Sequence, residues 1–172
     1  MARDLLGKTL VHGDRAGNIV EVEAYIGPDD RASHARVGRR GRAAIMYGPA
    51  GYAYVYLVYG MHFCFNVVTE RDDVPGAVLV RAIDVAGGNG PALVCRTLNI
   101  DRSCNGLDLT DSELHLVDGP PVPDEDVRVG PRIGVDYAGE WAARPWRFWV
   151  ANSQHVSRRR ITGVALDRAM LG

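Results

Sequence analysis

The sequence predicts an α+β domain built on a curved, mainly antiparallel sheet with short flanking helices. Three observations predict it. Strand-length runs that alternate or stay apolar recur along the chain, at residues 19–26, 52–58, 62–69 and 77–83. Clusters of glycine, aspartate, asparagine and proline separate these runs, as at 13–18 and 70–76. A full helix is expected only over 90–98, where Pro91 suits the first turn. In chain order, a short helix over 3–6 leads into a strand over 8–12. The cluster 13–18 folds the next strand, from Ile19, back on it as a hairpin. Residues 28–51 are rich in glycine and arginine and read as loop, with a helical turn near 42–46. The strand over 52–58 reverses at Gly60 into the strand over 62–69. The strand over 77–83 follows, and short strands are expected at 113–117, 127–129, 133–135 and 146–150, before a basic tail. No repeat, low-complexity tract or linker divides residues 1–172, which are read as one domain.

Composition narrows the function. The chain has 172 residues, 47% hydrophobic and 24% charged, enough to bury a core. No apolar run approaches the roughly 20 residues that span a bilayer, and the N-terminus lacks a secretory pattern, so no membrane partner is expected. Cys64, Cys95 and Cys104 are odd in number and show no Cys-x-x-Cys spacing, which suits free thiols in a reducing compartment. The five histidines lack zinc-ligand spacing, so no metal is expected. The net charge is −1, but its distribution is uneven. Arg31, Arg36, Arg39, Arg40 and Arg42 crowd one loop, and Arg144, Arg147, Arg158, Arg159 and Arg160 crowd the C-terminal region. Either cluster is a solvated surface or a face for phosphate, for which arginine is suited by its bidentate geometry.

The chemistry concentrates in two segments. Strand alternation places Glu21, Glu23 and Tyr25 on one face of the run from Ile19, and Val20, Val22 and Ala24 on the other. A carboxylate on a half-buried strand beside aromatics is a candidate base, but spacing alone does not choose between Glu21 and Glu23. Two carboxylates about 7 Å apart along a strand also suit a glycosidase-like acid and base. In the second segment Tyr54 and Tyr56 share a face, and Tyr59 falls at the bend, where burial is harder. Asn66 shares a face with His62 and Cys64 and offers both a donor and an acceptor. Arg81 ends an apolar strand, where its charge needs a phosphate or a carboxylate partner. Glutamate with a group of tyrosines points to chemistry on a flat, aromatic base.

The motifs resemble one family closely. Ile-Val-Glu-x-Glu-Ala-Tyr-x-Gly-Pro-x-Asp with Ser33-His34 is similar to the signature of the alkyladenine (3-methyladenine) DNA glycosylases. So are the blocks at 54–67, 78–82, 90–101 and 132–148, in the family's order and nearly end to end. The resemblance implies a compact α+β fold with a protruding hairpin that inserts into DNA. It implies that Glu23, not Glu21, is the general base, and that Arg81 and the backbone carbonyl of Ile133 help hold the attacking water. It implies a base pocket of Tyr25, His34 and Tyr56, with Asn66 crowding the exocyclic amine of guanine. Tyr59 matches the residue that fills the gap left in the duplex. A target buried in a duplex must be extruded, and a tyrosine at a tight bend can occupy the hole.

The expected activity is therefore that of a monofunctional DNA glycosylase. It would excise alkylated or deaminated purines from damaged double-stranded DNA by hydrolysis, without a cofactor, as a monomer. The expected location is the bacterial cytoplasm, or wherever the genome lies. A non-catalytic binding module would have no use for Glu23 with Arg81, and a hydrolase of free nucleosides would have none for Tyr59. The sequence departs from the family's pattern in a shortened connection over 83–91, and in Leu93-Val94 where a basic residue often precedes the leucine. Both departures bear on contacts to the DNA backbone rather than on the pocket.

Overall fold

A nine-stranded sheet, with every pair antiparallel, organises the computed structural model, which describes residues 1–157, 163–167 and 169. Strand β1 (Thr9–His12) pairs with β2 (Arg15–Ile26), and the sheet continues through β3 (Ala53–Val58), β4 (His62–Val68), β5 (Gly76–Ile83) and β6 (Leu114–Val117). It is completed by β7 (Val127–Gly130), β8 (Arg147–Val150) and the short β9 (Val164–Ala165). The order is β3-β4-β5-β2-β8-β7-β9, with β1 joining β2 to β6 at one side. The helix α1 (Pro91–Thr97) packs on β4 and β5. Short 3-10 turns, among them Arg3–Leu5, His34–Val37 and Gly41–Tyr47, add further helical structure. No helix among the described residues is long and apolar enough to cross a membrane.

One face of the sheet makes the core and the other makes the site. Val22, Val55, Phe65, Val67, Val78 and Val80 pack in the main core with Val94 and Leu98 from α1 and its end. Their strand neighbours Glu23, Tyr25, Tyr54, Asn66 and Leu79 take the opposite face, as period-two alternation requires. The pairing of β2 with β5 is interrupted twice. Ile19 pairs with Ile83, Glu21 with Ala82 and Val22 with Val80, so Val20 and then Arg81 stand as extra residues. These bulges let Ile19 join the core although its parity is that of Glu21, and let Ile83 join it although its parity is that of Arg81, which stays on the face of the two glutamates.

The structure corrects several boundaries. The turn expected over 13–18 is only Gly13-Asp14, and Arg15 already belongs to β2. Gly17 is needed inside that strand, since a Cβ there would lie 2.9 Å from Ile83 Cδ1. Residues 133–135 are not a strand. Gly134 turns to φ 76, and the Ile133 amide is spent on a side chain instead of a neighbouring strand. The stretch Asp136–Ala143, unanticipated from the sequence, forms 3-10 turns broken at Gly139. Arg158, Arg159 and Arg160 of the expected basic tail lie outside the described residues.

The loop after β2 is fixed by a contact spanning 102 residues. Arg132 grips Asp30 with both Nη atoms, at 2.5 and 2.8 Å, and both side chains are fully buried. Arg132 also donates to the carbonyls of Ala24 and Trp141, and Asp30 accepts the Ala32 amide. Asp30→Ala leaves a buried guanidinium without its carboxylate and should cost about 3–5 kcal/mol of stability, read from urea unfolding. Arg39→Ala, which breaks the exposed pair with Asp73, should hardly move the midpoint.

Candidate active site

The polar face of β2, β3, β4 and β5 opens on a cavity of about 500 Å³. Tyr25, Tyr56, Asn66 and Arg81 line it from the sheet. His34 closes one side, placed by a local device: Ser33 Oγ accepts the Ala35 amide and starts the 3-10 turn that carries the imidazole. Ile133 comes from the connection between β7 and β8, and Tyr59 from the tip of the β3–β4 hairpin. Tyr59 is 92% exposed and holds φ at 51°, a left-handed conformation uncommon outside glycine.

Glu23 is the one expected site residue that does not line the cavity. It lies directly behind the wall, fully buried. Its Oε1 accepts the Ile133 amide at 2.7 Å and sits 3.3 Å from Arg81 Nη1. Its Oε2 accepts the Tyr25 hydroxyl at 2.9 Å. The three groups that hold the carboxylate are themselves cavity residues. Ile133 thus contributes its N–H to Glu23, a contact that no sequence pattern announced.

The environment keeps most of the lining uncharged. Burial, helped by the Glu23 charge, raises the Tyr25 pKa well above its usual value, so the phenol stays a donor. Burial, reinforced by Cys64, raises Tyr56 as well. Burial lowers His34 to about 4, and the cations Arg42 and Arg36 add to the shift. His34 Nδ1 lies 2.8 Å from the Tyr54 hydroxyl, and its ring meets Tyr56 edge-on at 4.7 Å. Burial raises the Cys64 thiol to about 11, leaving it a poor nucleophile near neutrality. For Arg81, burial works to lower the pKa, but the charges of Glu23 and Glu21 outweigh it and the value is raised.

Several partners of the site were not foreseen. Glu21 does not face solvent but is fully buried against Arg81, Arg147 and Ser157. Arg147, grouped in the sequence with a basic surface, is 3% exposed and lies over the Trp149 ring. Arg132 stacks on the Tyr25 ring at 4.7 Å and on Trp146 at 5.0 Å, so the outer support of Tyr25 comes from a third segment. Glu21 could be suspected from its shared strand face with Glu23. Arg147 could not, because its place opposite Glu23 depends on the β2–β8 register.

An aromatic cavity backed by a buried carboxylate, with an exposed tyrosine on a hairpin at its rim, is a site built to take a flat ring. Known proteins make the class specific. The family model described as methylpurine-DNA glycosylase (MPG) matches residues 1–154. A relative from Myxococcus xanthus, named "Putative 3-methyladenine DNA glycosylase", is 52% identical over 169 residues, covering 92% of this chain and 87% of its own length. Relatives of the same name from Anaeromyxobacter dehalogenans (strain 2CP-1) and Methanocella arvoryzae are 55% and 47% identical. Each covers 92% of this chain, with 80% and 90% of their own lengths matched. The chain belongs to the methylpurine-DNA glycosylase family, and it is a DNA N-glycosylase of alkylated purines.

The low pKa of His34 has a direct consequence. The unfolded chain binds a proton near the usual 6.5, whereas the folded chain resists until about 4. The stability this group contributes is therefore present above about pH 6.5 and lost as pH falls toward 4. Histidine-resolved NMR titration should show the resonance absent from His34→Ala unshifted between pH 8 and pH 5.5.

Proposed function

We propose that this glycosylase extrudes an alkylated or deaminated purine from duplex DNA and hydrolyses its N-glycosyl bond, with Glu23 as general base. The observation that carries the reading is the triply held Glu23 carboxylate, set directly behind the wall of an aromatic cavity. Its Oε1 is taken by Ile133 N–H and Arg81, whereas Oε2 accepts only Tyr25 among the described residues and has a lone pair left for a second donor. A water donating to Oε2 loses its proton to Glu23 as its oxygen bonds to C1′. The C1′–N bond breaks, and its electron pair leaves with the purine. The developing oxocarbenium charge is stabilised by the nearby carboxylate. Arg81 and the Ile133 carbonyl flank that water. No metal or organic cofactor enters the reaction, because the carboxylate itself activates the nucleophile.

Tyr25, His34 and Tyr56 hold the base. A neutral His34 and protonated tyrosines suit uncharged and cationic purines alike, the latter helped by cation–π attraction to the rings. Asn66, whose Nδ2 donates to the Tyr54 carbonyl at 3.0 Å, is fixed against the sheet and narrows the cavity toward a guanine 2-amino group. Tyr59 enters the stack vacated by the base. The exposed Arg31, Arg36, Arg40 and Arg42 lie on the loop that carries His34 and meet the phosphates of damaged double-stranded DNA. The chain works as one domain and as a monomer, wherever the genome is housed.

Glu23→Gln keeps the shape and removes the base. Single-turnover excision should fall at least about 100-fold while binding to lesion duplex persists. Retained excision would remove Glu23 from the mechanism and require another group to activate the water. Tyr59→Ala should weaken binding to a lesion duplex but matter less on a single-stranded substrate, where no stack needs filling. An equal loss on both would place Tyr59 in the pocket rather than in the stack. Strand-nicking glycosylases attack the sugar with an amine. Lys8, the only lysine in the chain, is tied to Asp118 and lies outside the residues lining the cavity. Borohydride should therefore trap no protein–DNA adduct, and strand breaks should appear only after alkali or heat.

A further inference from the structure

We infer that Glu21 is a positioning residue for the reaction, orienting Arg81 against Glu23 and balancing the charge around the base. The inference rests on Glu23 as that base. Each edge of the Arg81 guanidinium has its own partner. Nε donates to Glu21 Oε1 at 3.1 Å, Nη2 to Ser157 Oγ at 3.5 Å, and Nη1 faces Glu23 Oε1 at 3.3 Å. The guanidinium is planar, so it cannot rotate relative to Glu23 without losing Glu21.

Glu21 is itself immobilised. Its Oε2 accepts the Ser157 amide at 2.7 Å, and Oε1 accepts the Ser157 hydroxyl at 2.9 Å. Arg147 Nε lies 2.8 Å from Oε1, an ion-pair contact off the hydrogen-bond axis. Fixing one arginine does not require this much. The arrangement is a buried set of two carboxylates, Glu21 and Glu23, with two guanidiniums, Arg81 and Arg147.

The set matters for basicity. The titratable and charged groups facing Glu23 are Tyr25 and Glu21 from its own strand, Arg81 from β5 and Arg147 from β8. Tyr56 from β3 and Cys64 from β4 also feel its charge, and burial keeps both neutral. Without Glu21, two guanidiniums would act on one carboxylate. They would favour its charged form and weaken its hold on a proton taken from water. Glu21 cancels one of those charges while holding Arg81 in place.

The test measures single-turnover excision of ethenoadenine from duplex DNA between pH 5 and pH 9. It uses the full chain as wild type and as Glu21→Gln, Ser157→Ala and Glu23→Gln. Glu21→Gln should slow the chemical step about tenfold at neutral pH, the scale of one lost hydrogen bond to a charged group. It should leave lesion-DNA affinity in place and move the acid limb of the rate profile to lower pH, because Glu23 then ionises more readily. A wild-type rate would overturn the inference, as would a slower rate with an unmoved limb, which is the signature of a purely structural residue. If Glu21→Gln does not fold, Ser157→Ala decides. It keeps the amide bond to Glu21 and all charges, and removes only the hydroxyl between Glu21 and Arg81. It should slow chemistry about threefold, a fraction of one hydrogen bond, at unchanged DNA affinity and with the chain still folded. A wild-type rate there would equally count against the inference. Activity surviving in Glu23→Gln would instead sink the assignment of the base.

Discussion

Two glutamates buried on one strand are the constraint around which this structure is arranged. Glu21 and Glu23 are both fully buried. Removing a carboxylate from water costs several kcal/mol unless a countercharge and hydrogen bonds replace the solvent. β2 meets that requirement by lying between two strands that each supply an arginine, Arg81 from β5 and Arg147 from β8. The Ile133 amide, the Tyr25 hydroxyl and the Ser157 amide and hydroxyl provide the remaining donors. No neighbourhood at the edge of the sheet could offer donors from both sides. The central place of β2 and the polarity of the face that carries the glutamates are therefore one fact.

The bulges between β2 and β5 reconcile this cluster with a packed core. A strict register would carry the alternation of β2 unbroken and turn Ile19 to the face of the glutamates. Inserting Val20 lets Ile19 rejoin Val22 in the core, and the extra residue Arg81 lets Ile83 do the same from β5 while Arg81 keeps the face of Leu79 and the carboxylates. Such irregularities are common where a sheet must aim a side chain at a site. The site is thus built into the pairing of the sheet rather than appended in a flexible loop.

The cavity wall combines rigid and adaptable parts. Tyr25 is held by Glu23 at its hydroxyl and by the stacked Arg132 across its ring, and Arg132 is pinned by Asp30. Tyr56 and His34 pack edge-on, and Tyr54 anchors the imidazole. A base entering this space meets rings already in place, which lowers the ordering cost of binding. The exposed hairpin tip is different. Tyr59 and Met61 extend from it with little support, and Gly60 at φ 70 permits the reversal. Rigid walls and a projecting tip are thus separate parts of the same site.

Much of this was legible along the chain. The strands, the lone helix and the shared face of Glu21, Glu23 and Tyr25 follow from periodicity, because alternation in a strand is a local property. The motif at 19–34 and the blocks after it carried the family resemblance, and with it the choice of Glu23 over Glu21. What the sequence could not reveal depends on register between distant segments. Arg147 reads as surface charge until β8 is placed beside β2. Asp30 and Arg132 read as loop residues until they meet across 102 positions. Residues 133–135 read as a strand, since their apolar character is local, while the Ile133 amide is claimed by a carboxylate 110 positions away. Periodicity and motif, both properties of the chain itself, placed most of the strands and singled out Glu23 as the expected base. Tertiary structure decided which charges neutralise it, because a buried carboxylate takes its partners from whatever strands and loops the fold packs against it.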